Sequence, residues 1–161
     1  MGPACVHPTP EDVGRLLSRL LGKRVIAKRG GAARAAVAVS GYIVADGGLA
    51  AVCVFDLDFA NYAGAALAMV PNAVANEAIR IRTLEPEALE NLQEVANIMA
   101  SLFNNANWHT KLRELTRIPP ALDISALCAR PVRRLDLDVD ITGYGMGHIS
   151  LFFAAPPAPP V

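Results

Sequence analysis

Between Pro86 and about Ala106 apolar residues recur every three or four positions, and this run constrains what the rest of the chain can build. At 100° per residue, Ala88, Leu92, Val95, Met99, Leu102 and Ala106 line one side of a helix, widened by Leu89, Ala96 and Phe103. Pro86 suits the first turn, where its missing N–H leaves no bond unmade, and Glu85 and Glu87 complement the positive end of the helix dipole. Glu90, Glu94, Asn97 and Ser101 fall within an arc of roughly 60° on the opposite side. That stripe cannot face a core, so Glu94 and Asn97 should point to solvent one turn apart. A wet helix face ordinarily does no more than keep a protein soluble, and residue type alone gives this one no function.

The remainder of the chain reads as a sheet with further helices. Thr9-Pro10-Glu11-Asp12 opens a helix, with Thr9 as cap, and Val13, Leu16, Leu17, Leu20 and Leu21 give it a buried stripe ended by Gly22. Val25 to Lys28 is a short strand, Arg29-Gly30-Gly31 a turn, and Ala35 to Ala45 a long strand. Asp46-Gly47-Gly48 is a hairpin turn returning through the apolar strand Leu49 to Phe55, which should be central. Asp58 is expected to cap an alanine-rich helix running to about Val70 and stopped by Pro71. Residues 71–83 fit helix or extended chain equally, and 107–130 have no regular pattern around Pro119-Pro120. Trp108 and His109 should end the long helix, as packing residues rather than catalytic ones, or as residues close enough to its outer stripe to meet a partner.

Leu135, Leu137, Val139 and Ile141 alternate with Asp136, Asp138 and Asp140, as in a strand with one wet face. Gly143 to Gly147 turns the chain and His148 to Ala154 returns it. Gly143-x-Gly-x-Gly147 lies between strands and opens no helix, so it is not a dinucleotide fingerprint. Arg133 and Arg134 suit a strand edge. The sum is one α/β (α+β) domain over 10–154, a largely antiparallel sheet packed by two long helices. Residues 1–9 should form a flexible N-terminus, and the Pro-rich 155–161 a disordered tail.

Composition excludes more than it selects. Fifteen Lys and Arg balance fifteen Asp and Glu, so no net field draws the chain to nucleic acid or an anionic membrane. No apolar run approaches the ~20 residues of a membrane span, and the N-terminus lacks a secretion signal. Met1-Gly2 is followed by Pro3, with no Ser or Thr at the sixth position, which argues against myristoylation. Cys5, Cys53 and Cys128 are widely spaced, as in a reducing cytoplasm. His7, His109 and His148 are scattered without metal-ligand spacing, so no metal and no cofactor of its own is expected.

The long helix contains Glu90-Asn-Leu-Gln-Glu94-Val-Ala-Asn97-Ile-Met-Ala, and Pro120 follows Asn97 after 22 residues. This resembles the CheC/CheX/FliY phosphatases, whose pattern is Asp or Ser, three residues, Glu, two residues, Asn, 22 residues and Pro. Glu94, Asn97 and Pro120 match, Glu90 replaces Asp or Ser, and Ser101 stands where the family often has glycine. The resemblance spans about 10–154 in architecture and is specific over 90–120. With one motif helix, the chain is most similar to CheX, whose members pair as dimers.

The resemblance implies a phosphatase for the aspartyl phosphate of a CheY-like response regulator in chemotaxis or two-component signalling. Asn97 would orient the attacking water and Glu94 would pair with the regulator's lysine. Glu90 and Ser101 would contact the partner, Pro120 would shape the backbone beside the helix, and Mg²⁺ would be held by the regulator. The same fold also implies two alternatives, a non-catalytic docking module or a structural part of a motor-switch-like assembly.

Overall fold

The computed structural model describes residues 7–33, 35–104 and 109–155. The N-terminal helix forms where its capping signal lies, as α1 (Pro10–Leu21). The Thr9 side chain accepts from the Asp12 N–H while the Asp12 carboxylate accepts from the Thr9 N–H, closing a reciprocal cap. Ahead of it, the segment expected to be loose is anchored at its end. The His7 ring lies 4.5 Å from the Phe153 ring, tilted against it, and Pro8 is buried.

Six strands form one antiparallel sheet in the order β1-β5-β6-β3-β2-β4. They are β1 (Val25–Arg29), β2 (Ala36–Ile43), β3 (Leu49–Asp56), β4 (Lys111–Arg117), β5 (Arg133–Ile141) and β6 (Gly145–Phe153). β3 is interior, as its apolar sequence requires. β5 is also interior, but Arg133 and Arg134 at its start have β6 on one side and no strand partner on the other among the described residues. They lie beyond the last β1 partner, Arg29 opposite Leu137, and Arg134 pairs with Asp136 at 3.0 Å.

Strand alternation sends two sets of side chains to opposite faces. On one, Tyr42, Cys53, Phe55, Leu135, Leu137, Ile149, Leu151 and Phe153 are fully buried beneath helices. The covering layer is α1, α2 (Leu57–Leu67) and α4 (Pro86–Met99), so a third helix joins the two expected. Gly64 sits where α2 meets α4, and a Cβ there would stand 3.0 Å from the Ala88 carbonyl oxygen. On the other face, α5 (Leu122–Ala129) covers one end with a small cluster of Ile124, Val39, Val52 and Phe152.

The rest of that second face is polar. Asp136 Oδ1 accepts from Ser150 Oγ at 2.6 Å, and His148 Nδ1 lies 2.7 Å from Asp138 Oδ1. The link from β1 to β2 crosses over this network. Gly30 N–H donates to the Asp136 carbonyl and Ala33 N–H donates to Ser150 Oγ. A Cβ on Gly30 would fall 2.1 Å from the Asp138 carboxyl, so only glycine fits beneath the crossing. Asp136 and Asp138, expected on a wet face, are therefore half-buried and partnered, and only Asp140 is exposed.

Several elements differ from the sequence reading or resolve what it left open. Asp56, not Asp58, caps α2, because the strand ends one residue after Phe55 and Asp56 stays extended, accepting from Phe59 N–H at 2.8 Å. α2 stops at Leu67, and Met69 takes a left-handed backbone (φ 57°) ahead of Pro71. Residues 72–80 form α3 (Asn72–Arg80). The stretch 107–130 contains β4 and α5, which their short, mixed sequences conceal. Ala106, Trp108 and 156–161 lie outside the described residues.

Candidate functional site

α4 is fixed along its length by contacts that leave its outer stripe free. Leu92, Val95, Ala96 and Met99 are wholly buried. Tyr42, fully buried on β2, donates its hydroxyl to the Ala96 carbonyl at 2.8 Å, and its ring lies 4.9 Å from Phe103. Burial pushes the Tyr42 phenol well above its ordinary pKa, so it remains a donor at neutral pH. At the N-terminal end, Arg117 donates to the Leu84 carbonyl and Asn61 donates to the Thr83 carbonyl.

The C-terminal end differs from the sequence reading. The α-helix stops at Met99 and tightens into a 3-10 turn over Ala100–Phe103, short of the expected Ala106. The reason is Thr110, whose hydroxyl donates to the Ala100 carbonyl at 2.7 Å. Asn104 is extended, and its side-chain oxygen accepts from the Thr110 N–H. These bonds replace the ones a longer helix would have made.

Glu90, Glu94 and Asn97 are exposed on α4, and Ser101 is exposed on the 3-10 turn that continues it. Among the described residues, Glu90, Glu94 and Asn97 make no side-chain hydrogen bond or ion pair. Ser101 donates its hydroxyl to the Ile98 carbonyl at 3.0 Å, which leaves the oxygen to accept. The stripe is thus a carboxylate, a second carboxylate, a carboxamide and a hydroxyl, presented outward at helical spacing on a support whose inner side is packed solid.

Pro120 follows edge strand β4 and stands just before Ala121, the N-cap residue of α5, where the chain passes to the opposite face of the sheet.

The arrangement presents groups that can position and dock another molecule. Cys53 is buried and its thiol is pushed well above its ordinary pKa by desolvation, which makes it inert. Among the described residues, no group of three His, Cys, Asp or Glu side chains could hold a metal ion, and no helix is long and apolar enough to cross a membrane. Sequence reading passed over two neighbours of the stripe, Arg15 and Arg19. Their spacing of four on α1 was visible, but their closeness to Ser101 was not.

No family model and no curated protein matches the chain. Solved structures do. FliM in the FliM–SpeE complex from H. pylori aligns at TM-score 0.62 with 9% identity, over 90% of this chain and 81% of that one. Thermotoga maritima FliY aligns at 0.58 with 13% identity, over 89% and 82%. The CheX–CheY–BeF3–Mg complex from Borrelia burgdorferi aligns at 0.53 with 13% identity, over 88% and 92%. The chain has a CheC/CheX/FliY-type fold.

Proposed function

We propose that this protein hydrolyses the aspartyl phosphate of a CheY-like receiver domain in cytoplasmic chemotaxis or two-component signalling. The observation that carries the reading is the pair Glu94 and Asn97, exposed and without side-chain partners among the described residues, one turn apart on a helix whose other side is locked into the core. The spacing of Glu90, Glu94, Asn97 and Pro120 and the likeness to a fold solved with CheY support it.

An acyl phosphate needs little from its catalyst beyond a positioned water and fixed charges. The Asn97 carboxamide oxygen accepts a hydrogen bond from that water while its NH₂ donates to a phosphoryl oxygen. The water oxygen forms the new bond to phosphorus as the bond to the aspartyl oxygen breaks. The carboxylate leaves with the bonding pair, and the surplus proton passes to phosphate or solvent. Glu94 sets the docking register by pairing with a partner lysine, and Glu90 and Ser101 lie at the margin. Mg²⁺ belongs to the partner's acidic pocket and supplies charge neutralisation there. A helix suits the task because it holds the two side chains at a fixed separation.

The test is to phosphorylate CheY-type receivers with acetyl phosphate and time phosphate loss with and without this protein. Faster loss that Asn97→Ala abolishes is expected; an unchanged rate for the wild-type chain refutes catalysis. The likeness to FliM favours a second reading, a docking module without catalysis. It predicts receiver binding with no acceleration.

A further inference from the structure

The outward stripe does not end at Ser101. It opens into a shallow groove of about 330 Å³ between α1 and the 3-10 turn, where Arg15 and Arg19 face Ser101 and Asn104 across the half-buried Leu16 and Leu102. The polar groups here are mostly donors. Arg15 is 61% exposed, and its one ion pair, to Asp12, is long at 3.4 Å. The Asp12 carboxylate is already engaged by the Thr9 N–H. Arg19 has no ion pair among the described residues. Asn104 uses its oxygen to accept from the Thr110 N–H, which leaves its NH₂ without a partner among the described residues. The opposite half of the same surface exposes Glu85, Glu87, Glu90 and Glu94. The surface is therefore charge-polarised along α4, with Asn97 near the change of sign.

We infer that this groove docks an acidic segment of the protein partner, the carboxylate-bearing rim beside its phosphorylated aspartate, with Arg19 and Arg15 as the cationic clamp. The inference rests on the reading of α4 as the receiver-facing helix. Two guanidinium groups and an amide match carboxylate acceptors, and the groove is continuous with the stripe that carries Asn97. Opposite charges at the two ends of the surface would fix the direction in which the partner lies, which is how complementary fields set register.

Binding of the full chain to a panel of CheY-type receivers, held active with beryllofluoride and Mg²⁺, tests this by fluorescence anisotropy. Charge reversal in Arg15→Glu/Arg19→Glu should raise Kd by about tenfold at low salt and flatten its salt dependence. Turnover at saturating receiver should stay within about twofold of wild type. The milder Arg15→Gln/Arg19→Gln pair should raise Kd by about threefold, and circular dichroism reports whether either pair keeps its helices. Arg130→Glu, just after α5 on the opposite face, changes the net charge as much as the Arg→Gln pair does and should leave Kd unaltered. Unchanged Kd in both double variants, an equal loss in Arg130→Glu, or displacement of the receiver by millimolar inorganic phosphate would overturn the inference. If no receiver binds the wild-type chain, the reading of α4 itself fails. If receivers bind and only changes at Glu94 or Asn97 weaken dephosphorylation or binding, the groove alone is refuted.

Discussion

The two faces of the sheet carry chemistry in opposite ways. The face beneath α5 and the β1–β2 crossing holds the residue types usually associated with catalysis: Asp136, Asp138, His148 and Ser150. Each is partnered within the fold, Ser150 to Asp136 and His148 to Asp138. The helical face is mainly apolar inside, its few buried polar side chains such as Tyr42, Asn61 and Thr110 are hydrogen-bonded to backbone carbonyls, and its available chemistry is displaced outward to Glu90, Glu94 and Asn97, which have no side-chain partners among the described residues. Availability rather than residue type marks the candidate site. A polar group already satisfied within the fold contributes to stability, whereas a free one on rigid backing can act on another molecule.

Several substitutions would break or sharpen that contrast. Leu92→Ala should have the largest effect, destabilising the fold by about 3 kcal/mol in urea titration, because it opens a cavity under the motif helix. A much smaller loss would mean that the helix is poorly supported. Asn97→Ala should leave the urea midpoint unchanged while slowing receiver dephosphorylation by about 10²-fold. Activity that survives this change would remove the catalytic role of the helical face.

Asp56→Ala removes the α2 cap and the acceptor for the His148 N–H, and should cost about 2 kcal/mol by thermal unfolding. Burial raises the Asp56 carboxyl pKa against the pull of these two N–H donors, so the folded state holds that proton more tightly than the unfolded one. Wild-type stability relative to Asp56→Asn should therefore rise as pH falls from neutral through the raised pKa toward ~3.9. Asp12, held below its ordinary pKa by Thr9, and Asp123, held below by Arg113, behave in the opposite sense. Their stabilisation is present above ~3.9 and is lost as pH falls through their lowered values.

Asp138→Ala should cost about 1 kcal/mol and leave dephosphorylation untouched. A folded variant without activity would move function to the second face and invert the comparison. Ser101→Ala should change stability by less than about 0.5 kcal/mol, a near-silent control at the margin of the stripe.

Much of this was legible in the chain because it depends on local periodicity. Thr9-x-x-Asp12 fixed the start of α1, and the alternation from Leu135 to Ile141 identified β5. The period of 3.6 over 88–103 placed Glu94 and Asn97 outward on α4, as the structure has them. β4 and α5 were missed for a physical reason. Lys111–Arg117 is an edge strand held by Tyr42, Gly41 and their neighbours on β2, and no alternation in its own sequence reveals that pairing. The end of α4 was missed because Thr110, ten residues on, takes the Ala100 carbonyl.

The sequence by itself determined which residues of α4 face water, because side-chain direction on a helix follows from spacing alone. Only the tertiary structure decided which of the exposed and polar groups have neighbours. Whether Asp138 meets His148 and whether Arg19 stands beside Ser101 depend on strand order and helix packing. Those are set by burial summed over distant parts of the chain, which no local pattern records.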